Sequence, residues 1–268
     1  MKRIKDMVFI LIVIIFLSPL LSVAVGSLKT NNQILSAPFS MPAGLYLDNY
    51  KTVFESSSII AGIVNSVLIC LMANILICLL SAMASWKLAR FKDKLGGRIA
   101  LLLMITYVVP FQAIMLPLIR NFQKLQLFNT RTGLIVIYIG LGLSLSVSLY
   151  YNFFKHNNVE IEEAGMLDGC TEPEVFFKIV MPQARHITAT LMCLNTVWLW
   201  NDYLLPSLML SGEDLYTVPL VVNKFMGQYL VQMNLAMAAV IIALVPILLF
   251  YFMMQRYIID GISAGGGR

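Results

Sequence analysis

Residues 59–86 read IIAGIVNSVLICLMANILICLLSAMASW, a run without Lys, Arg, Asp or Glu. At 1.5 Å rise per residue, roughly 20 such residues cross the ~30 Å hydrocarbon core of a bilayer. Inside hydrocarbon there is no water for the backbone to bond, and a helix satisfies its own N–H and C=O groups. The stretch therefore predicts a transmembrane helix. Five further stretches fit the same requirement, 7–28, 99–119, 133–154, 187–210 and 235–255, of which 187–210 is the least apolar. Over 268 residues the chain is 59% hydrophobic and only 12% charged, whereas soluble domains carry about a quarter charged residues. An all-α polytopic membrane protein with six transmembrane helices is expected, forming one transmembrane domain over 1–268. The same composition excludes a disordered chain, a nucleic-acid-binding domain and a disulfide-stapled secreted module, which need charge, polarity or cysteine missing here.

Net charge +5 is read as topology, because loops that stay cytoplasmic during insertion retain Lys and Arg. Six spans put both termini on one side. If that side is the cytoplasm, it holds Lys2, Arg3, Lys5, Lys87, Arg90, Lys92, Lys94, Arg98, Lys155, Lys178, Arg185, Arg256 and Arg268. The other side keeps Lys29, Lys51, Arg120, Lys124, Arg131 and Lys224, so 13 of 19 cations favour this orientation, with 120–131 running against it. Lys2, Arg3 and Lys5 before an apolar run ending near Ser22-Val23-Ala24 also fit a cleavable signal peptide. A retained first helix preserves the charge alternation and is the preferred reading. Cys70, Cys78, Cys170 and Cys193 form no CxxC pair or ligand spacing and read as small apolar fillers.

The segment 155–186 carries Glu160, Glu162, Glu163, Asp168, Glu172 and Glu174, six of 14 acids. Asn157 with Glu160 reads as a capping box, the acids complement a helix start, and Gly169 is a left-handed stop. Thr171 with Glu174 around Pro173 opens a second helix bearing Val175, Phe176, Phe177 and Ile179, which Pro182 is expected to interrupt. On the first helix Ile161, Ala164, Gly165 and Asp168 share a face, a stripe of small side chains beside a carboxylate. Spacing alone leaves two readings open: packing under the chain's own bundle, or docking of a soluble partner. In the fifth span Asp202 is the acid at or near membrane depth, where a charge must face water, protein or a polar ligand. Trp200, Asn201, Asp202 and Tyr203 are translocation-path candidates. The alternative is that Asp202 sits near the outer interface and caps a helix broken by Pro206, with the aromatics as interfacial anchors. His156 and His186 read as interfacial flanks, and Gly261 to Gly267 is too glycine-rich to be a stable helix.

Glu163-Ala164-Gly165-Met166-Leu167-Asp168-Gly169-Cys170, followed by Phe177 and Pro182, resembles the EAA loop of permease subunits in binding-protein-dependent ABC importers. The likeness extends to Asn65-Ser66, Pro110, Pro117, Trp200 to Pro206 and Gly261 to Gly265, and is similar to the carbohydrate-uptake branch typified by MalG-like subunits. Gly165 and Cys170 replace the family's alanines, and His186 stands where a second Pro often follows Pro182. The resemblance implies a type I ABC importer permease in the bacterial cytoplasmic membrane, with 155–186 as the coupling loop. Glu163, Ala164, Gly165, Asp168, Gly169 and Pro182 would then be the ATPase-coupling residues. Implied partners are a second permease subunit, two ABC ATPase subunits, an extracytoplasmic substrate-binding protein and membrane lipid, with a sugar or oligosaccharide as cargo. The chain has no Gly-x-x-x-x-Gly-Lys-Ser/Thr cradle, so ATP would be bound by the partners and no cofactor or catalytic residue is expected here. A secondary transporter or channel is the alternative, but it needs intramembrane ion ligands and Asp202 alone qualifies. A membrane-embedded metalloenzyme would need clustered His, Glu or Asp beside the membrane, and neither histidine belongs to a His-Glu-x-x-His array.

Overall fold

The computed structural model describes residues 2–56, 58–91, 94–227 and 232–265, with side chains for those between 5 and 255. Among the described residues every regular element is helical. In chain order these are α1 (Lys2–Gly26), α2 (Asn31–Ser36), α3 (Asp48–Glu55), α4 (Ser58–Ala89), α5 (Leu95–Thr106), α6 (Phe111–Lys124), α7 (Arg131–His156), α8 (Glu160–Leu167) and α9 (Glu172–Glu174). There follow a π-helical turn, Val175–Val180, then α10 (Met181–Gln183), α11 (Arg185–Asn201), α12 (Leu204–Met209), α13 (Val218–Met226) and α14 (Met233–Gly265).

Among the described residues four helices are long and apolar enough to cross a membrane by themselves: Lys5–Gly26, Ser58–Ala89, Arg131–His156 and Met233–Gln255. The expected third span is instead a bent pair, Leu95–Val108 with Phe111–Lys124, meeting at 96°. The cause is Pro110, which lacks an N–H and pushes its predecessor out of the helical region. The expected fifth span is also divided. α11 ends at Asn201, Asp202 is extended at φ −71° and ψ 121°, and α12 begins two residues later. Pro206 lies inside α12 and is not the break.

The last helix runs on to Gly265, contrary to the expectation for the glycine-rich tail. Extending a nucleated helix fixes one residue per hydrogen bond gained, so a glycine penalty of about 1 kcal/mol does not stop it. Residues 266–268, including Gly267, lie outside those described.

The chain packs as two compact units, Met1–Asn65 with Tyr216–Leu248, and Ser66–Leu215 with Leu249–Arg268. In the first, Val53, Ile59, Val221, Leu235, Ala238, Ala239 and Ile242 form the core. Its loops are fastened by amides: Asn49 donates to the carbonyls of Ser27 and Lys29, both at 2.8 Å, and Asn234 donates to Asn49 at 2.6 Å. Lys29 is fully buried, its Nζ donating to the carbonyls of Ala37 and Pro38. In the second unit Ala100 of α5 and Val147 of α7 cluster with Leu88 of α4, and Thr106 and Ser144 share a hydrogen bond at 2.6 Å between α5 and α7. Between α4 and α11, Asn74 donates to Met192 O at 2.8 Å and Thr196 Oγ1 at 2.7 Å, a polar tether deep between apolar helices. A further core joins the end of α4, the end of α7, the π-helical turn and the start of α11: Ala82, Trp86, Tyr150, Phe154, Val175, Phe176, Val180 and Leu191.

Candidate functional site: the acidic helical loop and the cavity beside Asp202

The start of α8 differs from the expected capping box. Asn158 Oδ1, and not Asn157, accepts the Glu160 N–H at 3.0 Å, while Asn157 donates across the loop to Gln183 at 2.9 Å. An Asx turn with the residue two positions on competes with the cap, and it wins here. The stop is as expected. Gly169 has φ +88°, its N–H donates to Met166 O at 3.1 Å and the Cys170 N–H to Gly165 O at 3.0 Å, a Schellman closure. The second box also forms, with Thr171 N donating to Glu174 Oε2 at 2.9 Å. Lys178 donates to the other oxygen of Glu174 at 2.8 Å. The Lys178 hydrogen bond, followed by those from Thr171, holds the Glu174 carboxyl down at about 2. Lys178 is raised in turn by Glu174.

Pro182 does not interrupt this helix. Its ring would collide with the carbonyl four residues back in an α-helix, but Val175–Val180 is wound as a π turn, with Met181 N bonding Phe176 O. The wider turn takes up the mismatch, and the backbone stays helical through Gln183.

The faces of α8 divide the expected stripe. Ile161, Glu163, Ala164 and Asp168 are exposed, with Leu167 at 89%. Gly165 is buried against Ile179, whose Cδ1 occupies the space a Cβ would need, so it serves packing inside the loop. Beside it Glu162 is 2% exposed. The Arg90 guanidinium grips both Glu162 oxygens, its Nε donating to Oε2 at 2.9 Å, and Trp86 Nε1 donates to Oε2 at 2.9 Å. Arg90 also donates to Phe154 O at 2.8 Å, and the Trp86 ring meets Phe176 at 5.4 Å between centroids. Sequence reasoning passed over this cluster. The signal was Trp86 and Arg90 four apart, on one face at the end of an apolar run, where Arg90 counted only as a topological charge.

The second feature is a cavity of about 660 Å³, lined by Thr106, Gln112, Asn195, Trp198 and Asp202 among others. Asp202 Oδ2 accepts from Tyr138 Oη at 2.9 Å and Oδ1 from Leu204 N at 3.1 Å, so the carboxylate caps α12 and lines the cavity together. Trp200 is buried elsewhere, the Asn201 amide turns back to Val197 O at 2.7 Å, and neither they nor Tyr203 line the cavity. Asn195 and Trp198, three residues apart on α11, share a helix face that lines the cavity, and Asp202 reaches the same cavity from the extended break after α11.

Long apolar helices, two apolar segments broken beside a largely apolar cavity that carries a few polar groups, and a folded acidic loop welded to the helix ends define a polytopic membrane transport subunit. Residues 78–263 match the family model for the binding-protein-dependent transport system inner membrane component. The chain belongs to that family, as a permease subunit of an ABC importer and a multi-pass inner-membrane protein. It is 36% identical over 256 residues to the probable starch degradation products transport system permease protein AmyC of Thermoanaerobacterium thermosulfurigenes, covering 96% of this chain and 93% of that one. It is 31% identical to the diacetylchitobiose uptake system permease protein NgcG of Streptomyces coelicolor, covering 94% and 84%. The fold is similar to that of a bacterial ABC transporter involved in import of the acidic polysaccharide alginate, with TM-score 0.84 at 16% identity over 96% of this chain and 95% of that chain. Such permease subunits are not themselves enzymes, and membership implies ATPase and substrate-binding partners. The secondary-transporter alternative has no support.

Proposed function

We propose that this chain imports a sugar or oligosaccharide, crossing the membrane six times with both termini cytoplasmic, and pairing with a second permease, two ATPase subunits and an extracytoplasmic binding protein. The bent pair α5–α6 supplies the third crossing and α11 with α12 the fifth. Cytoplasmic placement of α8 follows the excess of Lys and Arg on that side. The observation that carries the reading is the outward face of α8. Glu163 and Asp168 flank exposed Ile161, Ala164 and Leu167, while the inward face is fixed to the helix ends. A short helix with a solvent-facing apolar strip rimmed by carboxylates suits insertion into a cleft of an ATPase with cationic edges. Gly169 allows the sharp exit and Pro182 with its π turn directs the chain back toward α11.

Carbohydrate cargo is supported by relatives named for starch products and diacetylchitobiose and by the cavity itself. Trp198 offers an aromatic face, Thr106, Gln112, Asn195 and Asp202 offer hydrogen-bonding groups, and sugars need both. ATP-driven uptake by the reconstituted complex tests the docking role. Glu163→Lys or Gly169→Asp is expected to abolish uptake while the chain still inserts, and normal uptake in these variants would refute it. Uptake across a panel of labelled oligosaccharides and amino acids tests the cargo, and transport of amino acids alone would reject a sugar.

A further inference from the structure

Docking accounts for the outer face of α8 but leaves its inner face unexplained. An apolar side chain at position 162 would pack against Trp86 and the π-helical turn without the cost of taking a carboxylate out of water. The chain instead buries Glu162 and gives it three donors from two residues of one other segment. Apolar surfaces slide over one another, whereas a guanidinium fork on a carboxylate fixes angle as well as distance. Arg90 extends the joint by donating to Phe154 O, so one guanidinium links the ends of α4 and α7 to α8. Trp86, its ring against Phe176, ties in the π-helical turn.

We infer that Arg90, Glu162 and Trp86 form the joint that passes displacement of α8 to the ends of α4 and α7, with Glu162 a positioning residue and not a docking one. The inference rests on α8 being the ATPase contact. It is tested in the complete reconstituted transporter by measuring two quantities, the ATPase retained on purification and the substrate taken up per ATP hydrolysed. Glu162→Gln and Arg90→Gln are expected to retain the ATPase yet lower uptake per ATP by about fivefold or more, the scale of coupling between linked sites. Arg90→Lys keeps the charge but not the fork and should fall between these and the native chain. An unchanged ratio in variants that retain the ATPase overturns the inference, as does uptake that falls only in proportion to lost ATPase, which is what a purely structural role gives. Should the Gln variants fail to accumulate in the membrane, Trp86→Phe, which keeps the ring and removes one N–H, and Arg90→Lys decide by the same ratio. Failure of the docking reading has a different signature: Glu163→Lys would then retain the ATPase and transport normally.

Discussion

At the scale of single residues, burial separates Glu162 from its exposed neighbour Glu163. Glu162→Ala would leave the largely buried Arg90 guanidinium without its carboxylate, and removing one partner of such a pair costs about 3–5 kcal/mol. Thermal unfolding of the detergent-solubilised chain should show that loss, with Glu163→Ala within about 0.5 kcal/mol of the native chain, as surface substitutions generally are. Equal melting of the two variants would contradict the buried pair. Gly169 is held at φ +88°, where a Cβ meets no atom but the backbone itself is strained. Gly169→Ala should therefore cost about 1–2 kcal/mol by the same measurement, a penalty of conformation and not of packing. None of this distinction between Glu162 and Glu163 was legible in the sequence. Both sit in a charge run at a helix start, and what separates them is a pair of side chains brought from 72 and 76 residues away. Gly169, by contrast, was readable because its requirement is local.

Among the elements, the Gly169 stop and the Thr171–Glu174 box matched expectation, whereas the expected Asn157 box gave way to a turn at Asn158 and the breaks in the apolar segments were not foreseen. The Thr171–Glu174 box is sequence-local and forms. Because the Glu174 carboxyl is depressed to about 2 from an ordinary 4.5, its cap is fully present above pH 4.5 and is lost as the pH falls toward 2. A carboxyl-carbon NMR titration of Glu174 should have its midpoint near 2, and a midpoint near 4.5 would show the cap open. The bend at Pro110 and the break at Asp202 each fell inside an apolar window, and an average over hydropathy does not register a turn. Pro182 misled in the other direction, since a wide turn before it keeps the helix going. The tether from Asn74 to Met192 and Thr196 holds α4 to α11, and Asn74→Leu should destabilise the chain by about 0.6–2 kcal/mol, as interhelical hydrogen bonds in membranes do. Thermal unfolding unchanged by that substitution would remove the tether from the account. Asp202 was found from its charge, while Asn195 and Trp198, which share the cavity, emerge only once the face of α11 is known.

For the molecule as a whole, the apolar composition and the EAA-like run were enough to indicate a membrane transport subunit, and the family match over 78–263 bears this out. The number of crossings and their direction rest on charge distribution and on how the two broken segments are traversed. The proposed topology and docking role converge on one testable point, that α8 faces the cytoplasm and its exposed tip meets the ATPase. Leu167, at 89% exposure, is the place to ask. In a chain whose four native cysteines are replaced by Ala, Leu167→Cys is treated with a membrane-impermeant maleimide. With α8 cytoplasmic and docked, the introduced thiol should be labelled in inside-out vesicles stripped of ATPase, unlabelled in intact cells and shielded when the ATPase is bound; labelling from outside intact cells, or a bound ATPase that gives no shielding, would contradict that placement.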